Sequence, residues 1–121
     1  MTKISKTGEA INSSREPTEQ LQSSLLELYN QRKFSNVLDC IKVRYSEYPK
    51  SKFLLTLTAL SLKELGSYQY AMIAYEKILE FDPNCHDTLF NMSILLSDQG
   101  LFYPALDKLY MAIELNPDHS A

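Results

Sequence analysis

The sequence predicts an all-α chain of six antiparallel helices, arranged as three helix-turn-helix units stacked in a solenoid. Three observations carry this. First, punctuating residues recur at one interval: Pro49, Pro83 and Pro117 lie 34 residues apart, and the same spacing relates Gly66 to Gly100, Phe34 to Tyr68 to Phe102, and Val37 to Ala71 to Ala105. Self-similarity at 20 to 50 residues is the mark of a repeat architecture. Second, apolar residues inside each interval fall at helical spacing in two blocks, as in Leu55, Leu62 and Leu65 before Gly66, then Ala71, Tyr75, Ile78 and Leu79 after it. Third, with only 3 glycines and 5 prolines in 121 residues, and 45% apolar content, the composition fits neither a turn-rich β protein nor a disordered chain.

Each element follows in order. Residues 1–17 (MTKISKTGEAINSSREP) lack amphipathic periodicity and are rich in Ser, Thr, Lys and Glu, so they read as a flexible N-terminal tail ended by Pro17, with Thr18 capping the first helix. The units span 18–51, 52–85 and 86–119, and residues 120–121 form a short C-terminal end. In the second and third units, glycine supplies the left-handed backbone that ends the first helix, and proline stops the second. The first unit departs from this pattern, with Arg32 at the turn-glycine position and Arg44 where the other units have the small or branched residues Ile78 and Ala112. Pro104 sits near the start of a second helix, where its missing N–H is tolerated. Ala59, Ser93, Ala71, Ala105 and Ala112 are the small residues expected at close helix approaches, with Tyr75, Leu62, Leu96 and Leu109 filling the space between.

The residues that recur match a known pattern. Leu55, Thr58, Ala59, Leu62, Gly66, Tyr68, Ala71, Tyr75, Ile78 and Pro83 in the second unit, and Leu89, Met92, Ser93, Leu96, Gly100, Phe102, Ala105, Leu109, Ala112 and Pro117 in the third, fall at the signature positions. The chain thus resembles tetratricopeptide repeat (TPR) proteins, with a degenerate first repeat. The resemblance implies a right-handed α-solenoid whose first helices line a concave groove that holds another protein or peptide. Carried over residue by residue, it assigns Leu26, Tyr29, Phe53, Leu57, Leu60, Phe90, Asn91 and Ile94 to that groove. The core stripe is already supplied by other positions, so these apolar residues are surplus area of the kind that marks an interface. The family's carboxylate clamp is not matched: its places hold Gln22, Leu26, Leu57, Asp87 and Asn91. Nor is an asparagine ladder, since Ser23 and Leu57 stand beside Asn91.

Composition and motifs argue against other classes. The net charge of −3 does not suit nucleic acid or an anionic membrane, and it runs from +1 over residues 1–17 to −4 over residues 86–119. No apolar run approaches the roughly 20 residues of a membrane span. Two cysteines and no signal-like segment point to a reducing, cytoplasmic setting. His86 beside Cys85 and Asp87 lacks the further ligands of a metal site. Asp87, Asp98, Asp107, Glu114 and Asp118 are spread as on a solvated face, His119 lies at the end, and Cys40 reads as a buried or half-buried inert thiol. No nucleophile elbow or phosphate-binding loop is present, so neither an enzyme nor a cofactor is expected. The favoured reading is a non-catalytic protein–protein interaction scaffold. Two alternatives accompany it: the N-terminal TPR segment of a longer glycosyltransferase- or sulfotransferase-type protein, and a module that forms a homodimer through an uncovered last helix, where Leu109 and Ile113 lie.

Overall fold

A computed structural model describes residues 15–117, whose regular structure is all helical, with no strand among them. The order is α1 (Glu19–Asn30), α2 (Phe34–Arg44) followed by a 3₁₀ turn (Tyr45–Glu47), α3 (Lys52–Glu64), α4 (Tyr68–Phe81), α5 (His86–Asp98) and α6 (Phe102–Leu115). Each helix packs on the next in sequence, most extensively within α3/α4 and α5/α6. No helix among the described residues is long and apolar enough to cross a membrane.

The three turns inside the helix pairs share one backbone solution. Arg32, Gly66 and Gly100 take positive φ of 62°, 82° and 80°. At each turn the N–H of that residue donates three residues back, to the carbonyls of Tyr29, Lys63 and Ser97, and the following N–H donates five back, to Leu28, Leu62 and Leu96. This pairing satisfies the carbonyls that a helix end leaves open. Glycine adopts the conformation freely. Arg32 adopts it against the steric preference of an L-residue, so the first pair keeps the turn without the residue that favours it.

Helix starts are more varied. Thr18 accepts from the Leu21 amide at 3.2 Å, as its position predicts. Ser51, fully buried, accepts from the Leu54 amide at 3.0 Å. Its hydroxyl also donates to the carboxylate of Glu16, which in addition accepts from the Lys52 amide at 2.9 Å and, more weakly, from the Phe53 amide. Arg15 places its guanidinium 4.6 Å from the ring centre of Tyr48, and the Pro17 carbonyl, in a buried residue, accepts from Gln22 at 2.9 Å. The flexible-tail reading of residues 1–17 is therefore corrected for its last three. An anion at a helix N-terminus meets free amides and the positive end of the helix dipole, and Glu16 exploits both at α3. Residues 1–14 and 118–121, including His119 and the 120–121 end, lie outside the described residues.

The buried core divides at α3. One cluster joins Leu25 of α1, Val37 and Ile41 of α2, Tyr48, and Leu54 and Leu57 of α3. The other joins Leu55 and Ala59 of α3 to Ala71, Ala74, Tyr75 and Ile78 of α4, Leu89, Met92 and Leu95 of α5, and Ala112 of α6. A helix packed on both sides is apolar around much of its circumference, which is why α3 lacks a clean polar face. Ala59, Ala71, Ala105, Ala112 and Ser93 are all buried, as expected of residues at close helix crossings. Cys40 corrects an expectation: it is exposed. Ile41, one residue on and about 100° further around the helix, takes the inward position.

Candidate protein-binding surfaces

The first helices of the three pairs are tied together near their C-terminal ends. Arg32, just beyond α1, reaches Glu64 of α3 at 3.7 Å, and Lys63 of α3 reaches Asp98 of α5 at 3.3 Å. At the opposite end of α3, Lys52 pairs with Asp82, and this hydrogen bond raises the lysine pKa above its ordinary value.

Between α3 and α5 lies an open cleft of about 560 Å³. Phe53 and Thr56 line one wall, Phe90 and Asn91 the other, with Lys52 and Asp87 at its rim. Both walls combine an aromatic ring with a polar side chain, and the rim charges have opposite sign. Such a surface can bury an apolar side chain and hold the peptide that carries it by hydrogen bonds.

The eight residues assigned to a groove from sequence do not all line one cleft. Phe53, Phe90 and Asn91 meet in the α3/α5 cleft. Phe90 also lines a second cleft of about 450 Å³, together with Ile94, Phe102, Leu106 and Leu109 at the α5/α6 end. Leu26 (42% exposed) and half-buried Leu60 line neither. Tyr29 packs edge-on to Phe34, with ring centres 5.2 Å apart, and burial followed by the nearby Glu64 charge pushes its pKa upward.

Leu57 is a correction. It is 3% exposed and belongs to the core beside Leu25 and Leu54, because α1 and α2 cover that side of α3. Sequence reasoning did not single out Thr88, Lys52 or Cys85 as cleft residues, yet all three border the α3/α5 cleft. Their place at or before the starts of α3 and α5 was the available signal.

His86, Cys85 and Asp87 each contact a neighbouring side chain. His86 approaches Asn116 at 3.2 Å and Asp87 at 3.3 Å, and Cys85 accepts from the Thr88 hydroxyl at 3.2 Å. A scan of protein-family models and a search of curated proteins find no match to this chain.

Proposed function

We propose that this chain is a three-repeat, TPR-type α-solenoid acting as a non-catalytic, cytoplasmic scaffold that holds an apolar helix or extended segment of another protein on its first-helix face. The α3/α5 cleft carries this reading: it sets Phe53 and Phe90 beside the hydrogen-bonding groups of Thr56 and Asn91 on the face where TPR proteins take their partners. The recurring turn geometry at Arg32, Gly66 and Gly100 also supports the repeat assignment.

The test is a peptide library selected on the wild-type protein, followed by affinity measurement against a Thr56→Glu/Asn91→Glu variant. Both positions are half-buried on the cleft wall, so the variant should retain the helical circular dichroism spectrum while binding falls about tenfold or more. Equal binding by the folded variant refutes the assignment.

A second reading has its own observation. Leu106, Tyr110 and Met111 on α6 are exposed, and Leu109 is only half-buried, whereas Tyr75, the residue 34 positions before Leu109, is 1% exposed in the core beneath α5. This favours assembly through the α5/α6 end, either with a second copy or with further helices of a longer transferase-type protein. Sedimentation that gives a monomer at every concentration rules out the homodimer.

A further inference from the structure

A furrow of about 360 Å³ opens where α2, α3 and α4 meet, on a side of α3 roughly opposite the α3/α5 cleft. Its floor includes Ile41 of α2 and Thr58 of α3. The 34-residue register shows why there is space. The positions equivalent to Ile41 and Thr58 at the next junction are Tyr75 and Met92, and these are 1% and 2% exposed in the continuous core between α4 and α5. Two smaller side chains at the first junction leave unfilled the volume that an aromatic ring and a thioether fill at the second. The furrow is also where the two core clusters fail to merge: Ile41 belongs to one, Leu55 and Ala74 to the other.

The rim changes along with the floor. Lys42 and Lys77 border the furrow, where the next junction has Glu76 and Met111 at the equivalent positions. Neither lysine forms a salt bridge with a carboxylate among the described residues, although other lysines and arginines of this acidic chain do. Lys77 instead holds its ammonium 5.5 Å from the ring centre of Tyr45. Ile73, 46% exposed, adds apolar surface at the mouth.

From the missing volume and the two lysines that have no carboxylate partner among the described residues, we propose that this furrow binds an acidic segment of a partner protein, which inserts one aromatic side chain between Ile41 and Thr58 while flanking carboxylates meet Lys42 and Lys77. An aromatic side chain matches the volume that Tyr75 occupies one junction on. The open form of the furrow suits a side chain carried on a peptide, and the lysines select acidic flanks. This surface is separate from the first-helix cleft.

The test uses the ¹⁵N-labelled full chain. The probe is an acetylated, amidated heptapeptide with one phenylalanine flanked on each side by two glutamates, with glycine at both ends. Saturable amide shifts are expected around Thr58, Ile73 and Lys77. Binding should weaken about tenfold or more when the phenylalanine becomes alanine or the glutamates become glutamines. Ile41→Tyr/Thr58→Met, which installs the residues of the next junction, should abolish it. Lys42→Glu/Lys77→Glu alters two exposed side chains outside the core and should weaken it to a similar extent, so the charge variant keeps the proposal testable if the filled variant fails to fold. Thr56→Glu/Asn91→Glu should bind normally, which separates this site from the first-helix cleft. The proposal is overturned by the absence of saturable shifts, by shifts centred on Thr56 and Asn91, by undiminished binding to either furrow variant, or by binding of laurate in the furrow without binding of the peptide.

Discussion

Replacing Gly66 by alanine isolates the conformational demand of the turn between α3 and α4. Gly66 has φ +82°, and a Cβ built there meets nothing within 4 Å. Steric contact with the rest of the molecule therefore contributes nothing, and the cost is that of the backbone alone. A left-handed conformation costs an L-residue roughly 1–2 kcal/mol. Alanine recovers roughly 0.4–1 kcal/mol by restricting the unfolded chain. The expected net loss is about 1 kcal/mol, which lowers the midpoint of thermal unfolding by about 4–8 °C in a domain of this size. Far-ultraviolet circular dichroism against temperature and urea measures it, with the native helical signal unchanged. An unchanged or raised midpoint refutes the reasoning, and a loss above about 3 kcal/mol shows that something other than φ is at stake.

Arg32 supplies the reverse experiment, with a different balance. Arg32→Gly relieves about 1–2 kcal/mol of strain but loses an exposed ion pair with Glu64, worth about 0.5 kcal/mol at most, and the guanidinium stacked 5.2 Å from the Phe34 ring centre, worth about another 0.5. Glycine also adds roughly 0.5–1 kcal/mol of backbone entropy to be lost on folding. These contributions nearly cancel, so the substitution should be close to neutral in the same assay. Local contacts thus account for an arginine standing where the other two pairs use glycine.

Glu16→Ala removes the carboxylate that receives the Ser51 hydroxyl and the Lys52 amide, and should cost about 1 kcal/mol in urea unfolding with faster hydrogen exchange at the start of α3; unchanged exchange there refutes the cap. Burial pushes the Tyr75 pKa up to about 12 from its ordinary 10.0. The unfolded chain ionises first, so the stability is fully present below pH 10 and is lost as the pH rises toward 12, by about 2 kcal/mol. Urea titrations across that range should show the decline, and Tyr75→Phe should flatten it; an equal decline in the variant assigns it elsewhere. Ala71→Leu, at a position with no exposure, should destabilise the fold by about 1–3 kcal/mol, and Ala105→Leu by less because α6 borders the open α5/α6 cleft. Equal costs at the two alanines contradict the packing difference.

The order of helices, the turns at Gly66 and Gly100, the Thr18 cap and the buried alanines were legible in the sequence because each depends on neighbours within one or two helical turns. Side-chain periodicity and backbone chirality are local properties. Much of the candidate surface was not legible, and Leu57 shows why. At one residue's resolution its position reads as groove, but α1 and α2 together cover that side of α3 and draw it into the core. Glu16 shows the same limit from the other end: nothing near it in sequence marks it as a cap, since its partners lie 35 to 37 residues away. The furrow over Ile41 and Thr58 is an intermediate case. The smaller residues are visible when positions 34 residues apart are compared, but only the packed helices turn a difference in side-chain size into an open space. The sequence by itself determined the helices and how each pair turns, through interactions between near neighbours. Only the tertiary structure decided which apolar residues remain accessible, because that depends on helices far apart in the chain covering one side of α3 and leaving another open.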